Sequence, residues 1–544
     1  MAYRGLDEFI IRLEQSRQVS RVEKRLAPSS AITDLTPVQA GKAMWFDDVG
    51  GLGFPVVTNL FGTEKRMAWA LGVNKLDDLA ANLNALVTLD EPLSFGALIG
   101  RAGAVMTALR TAGTSANRPR DVPVQAVKRG DLSLHRLPAV RFYAGETHAG
   151  ITMTQIITAG TGGQSAHTGR VVVLSDALLG IELRHPIDTA RGQLPVAVVI
   201  GGDPAAMWCA NVPLPPNIAP YWLAGWIRRK AVPFSRALTQ PLDVPADAEI
   251  IIEGVLDMDD IRDDVTFASD SGFMIGGVRF AAMRVTAITH RRDAIFPLHV
   301  PATLSSEHRL MNKAIERLTL PILRLLLADI CDISRPDIGC GRNLTIISHA
   351  TGERGAVRKA IHAMWGLGSL AHTKAVIVVD RGVDVHDIGA VLSAVRCHVD
   401  WHADIIRADG LLHPHDVSGL NGATGGGFGG KIALDATTKH ATESPRPAAD
   451  FQPVAGVSAW RAWDGVAVVV LDDATTSAAH VHDANPDYHL IVLPAGVTWL
   501  DDARQLAWYV LACADPVRDL TVTAAGRVRL CVADKTPLLA VSDD

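Results

Sequence analysis

The sequence predicts a mixed α/β fold in which an all-β section lies between two α/β sections. Three observations carry this expectation. Helix-like and strand-like runs alternate up to about residue 115; short β-branched runs divided by turn residues follow; and beyond Leu318 the alternation returns. The chain's 544 residues exceed what one hydrophobic core usually holds, and 48% hydrophobic against 20% charged residues can build several cores. The expected division is residues 1–115 (α/β), 116–318 (β), 319–445 (α/β) and a C-terminal extension, 446–544.

Taken in order, MAYRGLDEFIIRLEQSRQV sets apolar residues at helical spacing and opens the chain with a helix. Strands are expected at 43–46 and 55–59, and helices at 64–71 and 92–111. In the central section the runs 151–157, 171–174, 194–201, 248–253 and 280–290 read as strands, spaced as in a barrel or sandwich. One helix, 221–230, interrupts them. Residues 374–380, KAVIVVD, form a continuous apolar run suited to a strand covered on both faces. Ile388, Val391, Leu392 and Val395 then recur at helical spacing within 387–399, completing a βα unit. The polar, proline-bearing 440–453 reads as a linker, 466–471 as a strand and 500–514 as a helix.

Composition excludes several classes. A net charge of -6 gives no electrostatic case for nucleic acid, so an acidic small molecule would have to be held by local arginines. Six cysteines without CxxC spacing argue against a zinc site or disulfide framework and suit a reducing compartment. No signal-peptide core and no bilayer-length apolar run is present, so a soluble cytoplasmic protein is expected, with no membrane partner.

Two stretches draw attention to a site. QSAHTGRVVVLSDALLGIELRHP, residues 164–186, places Arg170 at the start of a strand, where a guanidinium can present a fixed fork to a carboxylate or phosphate. DDVTFASDSGF, residues 263–273, is its distant acidic partner. A third stretch misleads. GGGFGGK, residues 425–431, copies most of a P-loop, but Ile432 stands where Ser or Thr would hold magnesium, so nucleotide hydrolysis is set aside. A mobile loop with Lys431 at its hinge, within reach of an anionic ligand, is expected instead.

Several blocks resemble the UbiD family of non-oxidative decarboxylases: VVTNLFGTEKRMAWALGV from Val56, PVAVVIGGDPAAM from Pro195, EIIIEGVLD from Glu249, AITHRRDAIF from Ala287, KAVIVVDRGVDVHD from Lys374 and GGKIALDATTK from Gly429. They recur in the family's order over roughly residues 40 to 440. The resemblance implies an N-terminal α/β domain, a central split β-barrel of flavin-reductase type holding prenylated FMN, and a C-terminal α/β domain used for oligomerisation, in homodimers or homohexamers. It implies reversible decarboxylation of an aromatic or heteroaromatic carboxylic acid, or of its coenzyme A thioester, with a flavin prenyltransferase supplying the cofactor. The chemistry agrees, because carbon dioxide leaving an sp² carbon leaves a carbanion that no side chain stabilises and a cofactor must accept.

Carried onto this chain, the family's carboxylate-orienting arginine falls on Arg170, its acidic partner on Asp264 and the proton donor on Ser269, with Asp270 beside it. Ser165, His167, Thr168 and Gly169 line the cofactor position. The family's Asn, His and Glu metal ligands fall on Ser165, His185 and Pro220, so the usual manganese site is expected to be absent, with potassium left open. Arg184, beside His185, and Lys431 are expected to neutralise the flavin phosphate instead. Three altered ligands also admit a non-catalytic structural subunit of a carboxylase. A flavin oxidoreductase is disfavoured by the lack of a GxGxxG fingerprint after a strand.

Overall fold

A computed structural model of the chain describes residues 3–37, 41–87, 119–160, 163–183, 192–215, 218–421, 427–439, 450–463, 465–472, 477–532 and 534. The helix expected at 92–111 and most of the linker expected at 440–453 fall outside these residues. The chain divides into two compact units, Met1–Leu318 and Thr319–Asp544.

In the first unit, helix Leu6–Gln15 turns Leu6, Phe9, Ile10 and Leu13 inward, the spacing that its sequence announces. A small sheet follows in the order Val19–Val22, Ala43–Phe46, Val56–Thr58, Phe296–Leu298. Its last strand arrives from far along the chain and pairs parallel with Val56–Thr58, which brings the segment after Leu298 back beside the N-terminal residues.

Between these lies a nine-stranded sheet. Its path runs Gly150–Ile151, Val171–Ser175, Leu178–Glu182, Phe280–His290, Ile250–Arg262, Gln193–Ile200, Thr154–Gly160 and Gly163–His167, with Val127–Lys128 added to Phe280–His290. The neighbouring pairs are antiparallel, as in Val198↔Ile156 and Ile252↔Ile288. The central strands read as unbroken apolar runs because both faces are covered: Val196, Val198 and Ile200 enter one core, and Ala197 and Val199 enter another. Gly254 sits at a register shift in Ile250–Arg262, where a Cβ would lie 2.3 Å from the Arg284 carbonyl oxygen. Helix Pro220–Arg228 starts on Pro220 and ends against a left-handed Arg229 (φ 57°).

In the second unit, a sheet runs Ile330–Ser334, Leu344–His349, Ala375–Asp380, Gly427–Ala436, Ile405–Leu412, with Leu420–Asn421 also on Gly427–Ala436. Helix Ile388–His398 follows Ala375–Asp380, as the apolar spacing predicted. A second sheet orders Val457–Trp463, Val466–Leu471, His489–Leu493, Val528–Cys531, Leu520–Val522. Buried Lys374 joins this region to the first sheet. Its Nζ pairs with Asp416 at 2.9 Å and donates to the carbonyls of Leu511 and Ala512, the C-terminal end of helix Ala503–Cys513.

Candidate active site

Arg170 lies just before strand Val171–Ser175 and is 9% exposed. Its Nη2 meets Glu146 Oε1 at 2.6 Å. Its backbone N–H donates to Glu182 on the paired strand at 3.1 Å. The guanidinium sits 5.1 Å from the Phe267 ring centroid and 5.7 Å from that of Phe142, so aromatic faces flank the charge. Burial lowers the pKa of Arg170, against the opposing charges of Glu146, Asp270 and Glu182.

Glu146 was not foreseen, and it replaces Asp264 as the partner. Asp264 is exposed, at the solvent end of an acidic run that includes exposed Asp259 and Asp263. Glu146 is 2% exposed and fully engaged: Oε1 also accepts from Ala268 N at 3.0 Å, and Oε2 from Phe142 N at 2.5 Å. Nothing in its spacing marks it, since a partner 24 residues upstream leaves no periodic trace. The only available signal is an acid in AGETHAG next to the aromatic pair Phe142 and Tyr143.

The turn that follows carries Ser269 and Asp270. Ser269 is buried, and its hydroxyl accepts from Ser271 N at 3.3 Å. Asp270 lies in a cluster that the sequence did not announce. Its Oδ1 is 2.6 Å from His299 Nε2 and its Oδ2 is 3.0 Å from His308 Nδ1. On the other side, His299 Nδ1 is 2.9 Å from Glu307 Oε2, while Glu307 Oε1 accepts from Phe61 N at 3.0 Å. Burial pushes the Asp270 carboxyl up, but the facing His299 and His308 outweigh it and hold it well below the usual carboxylate range. Burial works against protonation of His299, yet Asp270 and Glu307 raise its pKa to about 10.

The expected cofactor residues are distributed unevenly. Ser165 and His167 stand on edge strand Gly163–His167, and Thr168 and Gly169 lead from it to Arg170, with Thr154 Oγ1 donating to the Gly169 carbonyl at 3.0 Å. Arg184 and His185 lie outside the described residues. Lys431 corrects an expectation: it is no loop hinge but a buried residue of strand Gly427–Ala436. Its Nζ donates to the carbonyls of Ala371 at 2.6 Å and Thr373 at 2.8 Å. Burial, with Lys374 nearby, lowers its pKa to about 8 despite Asp416. Pro220 opens its helix and offers no donor atom to a metal.

Three family models match the chain in its own order: the N-terminal domain of 3-octaprenyl-4-hydroxybenzoate carboxy-lyase at residues 10–85, its Rift-related domain at 116–304 and its C-terminal domain at 309–436. An uncharacterised protein of Archaeoglobus fulgidus is 32% identical over 81% of this chain and 92% of its own length. The chain belongs to the UbiD carboxy-lyase family. Similar UbiD folds include the UbiD-class enzyme HmfF from Pelotomaculum thermopropionicum in complex with FMN, with TM-score 0.66 and 24% identity over 80% of this chain and 94% of that one. Vanillic acid decarboxylase of Sedimentibacter hydroxybenzoicus in its closed form gives TM-score 0.66 and 22% identity over 84% and 97%. The 3,4-dihydroxybenzoic acid decarboxylase of Klebsiella pneumoniae gives 0.64 and 18% over 83% and 98%. These likenesses agree with the mixed α/β architecture of the UbiD chain described above. Among its described residues no helix is long and apolar enough to cross a membrane.

Proposed function

We propose that this protein removes carbon dioxide from an aromatic or heteroaromatic carboxylic acid, or from the coenzyme A thioester of one that keeps a second carboxylate, with prenylated FMN as its cofactor. The observation that carries the reading is the buried Arg170–Glu146 pair between two aromatic rings. Glu146 fixes the guanidinium and leaves Arg170 Nε buried without a hydrogen-bond partner, a donor suited to an incoming carboxylate or to a flavin edge. When bound, prenylated FMN supplies the electron sink that the departing carbon dioxide requires. Ser165, His167, Thr168 and Gly169 are the residues proposed to hold it, with Arg184 and His185 completing the phosphate end; Lys431, already bonded to two carbonyls, is dropped from that role.

In this reading Arg170 orients the scissile carboxylate, and Phe142 and Phe267 keep water from its charge. The replacement proton comes from a water held at Asp270, because Asp270 itself is an anion and a serine is a poor acid near neutral pH. The relatives' substrates, vanillic and 3,4-dihydroxybenzoic acids, support an aromatic acid as the class. Production alongside a flavin prenyltransferase, followed by a screen of aromatic acids and their thioesters for carbon dioxide release, tests the proposal. Release from at least one compound is expected. A chain that takes up the flavin and turns over nothing would favour the structural-subunit reading.

A further inference from the structure

Among the described residues, Asp270, His299 and His308 bring one carboxylate and two imidazoles together, with donor atoms all within 4.8 Å of one another. They come from three separate elements: the turn between Phe267–Ala268 and Met274–Ile275, the residue after Phe296–Leu298, and the first turn of helix Ser306–Leu326. The three-dimensional return of the Phe296–Leu298 strand is what assembles them. Bonds of about 2.0–2.2 Å to nitrogen and oxygen are what a first-row ion requires, and side chains already converging this closely reach that with small rotations.

The surroundings have the features of a coordination site. Glu307 accepts on the His299 Nδ1 side at 2.9 Å and is itself pinned by Phe61 N, so the ring is held with Nε2 facing Asp270. In the metal-free chain ring protons bridge His299 to one Asp270 oxygen at 2.6 Å and His308 to the other at 3.0 Å, and a metal ion binding here would displace those protons. Two carboxylates, Asp270 and Glu307, balance a dipositive charge. Side-chain exposures of 13% for His299, 21% for Asp270 and 22% for His308 leave room for water in further positions. Two nitrogen donors favour a borderline transition metal over magnesium or calcium.

We propose that Asp270, His299 and His308 bind one divalent first-row transition-metal ion, with Glu307 orienting His299. This site uses none of the residues at the family's expected metal position, Ser165, His185 and Pro220, and its coordination does not depend on the decarboxylase reading. The test titrates Co²⁺ into the EDTA-treated full-length chain, followed by visible absorption and by displacement with Zn²⁺. One equivalent is expected to bind and to be displaced. Glu307→Gln weakens binding about 10–100-fold, as loss of an outer carboxylate does. His308→Gln, at the helix's first turn, loses at least as much, and adding Asp270→Asn abolishes the spectrum in protein whose circular dichroism is unchanged. Failure of the parent chain to take up Co²⁺ in stoichiometric amount would overturn the proposal, and so would uptake undiminished in His308→Gln. Because the readout is metal uptake, its failure leaves the carboxy-lyase proposal standing, and the reverse holds as well.

Discussion

At Arg170 a buried cation makes its direct ion pair with one acid, Glu146, and that pairing sets what each substitution does. Glu146→Gln keeps the shape but removes the charge that holds the guanidinium, so turnover should fall with little change in the fold's spectrum; steady-state rates on the best substrate check this. Glu146→Ala strips a buried ion pair of one member and should destabilise the chain by about 3–5 kcal/mol in denaturant unfolding. Asp264→Asn, on an exposed acid, should leave both rate and stability within experimental error. The strand position of Arg170 alone reads equally as an edge arginine paired with a surface acid, and only the family resemblance singled it out; the structure places it buried instead. Its partner was not singled out, since a buried acid between aromatics carries no spacing signal. His299 and His308 were equally silent: each is a lone histidine whose meaning arises only when the chain returns to the N-terminal sheet.

Elements were more legible than the residues they position. The strands Ala43–Phe46 and Val466–Leu471 match their expected ranges, and Glu64–Ala70, Ala375–Asp380 and Ile388–His398 lie within one residue of theirs, because period-2, period-3.6 and doubly apolar patterns each have one structural solution. Irregular points were missed, since a bulge is set by pairing across the sheet. Gly254 is the clearest case. Gly254→Ala would press a Cβ against the Arg284 carbonyl and should cost about 1–3 kcal/mol, seen as a lowered unfolding midpoint without change in the denaturant slope. The glycine tract before Lys431 misled for a related reason: Gly427–Ala436 is a strand paired with Ile405–Leu412, and its glycines admit close neighbours. Asp515 is one of these, accepting from Gly430 N at 2.8 Å.

For the whole molecule, acid stability follows from two half-buried histidines of the second unit. Burial lowers His372 and His489 to about 4, helped by Lys431 and neighbouring arginines at the first and by Arg527 and His482 at the second. A folded pKa below the unfolded value of about 6.5 means that the unfolded chain binds more protons. Their contribution is therefore complete above about pH 6.5 and is lost as pH falls toward 4. In the first unit, burial raises Asp247 to about 7 and Glu249 to about 8, so their contribution runs the other way, present at acid pH and lost as pH rises through those values. Thermal unfolding at a series of pH values should show the second unit weakening between pH 6.5 and 4, and the double variant His372→Gln, His489→Gln should flatten that decline. The α/β–β–α/β order was readable from the alternation of patterns. That residues 319–544 form one unit was not, because Lys374 makes the connection by reaching backbone carbonyls more than a hundred positions away.

Carbon dioxide release by the flavin-loaded chain, compared with that of flavin-loaded Arg170→Ala on the same aromatic acid, tests the central claim most directly. The parent chain should release it and the variant should be slower by at least about a hundredfold with its flavin still bound. Equal rates from the two proteins would contradict the assignment of Arg170 as the carboxylate anchor.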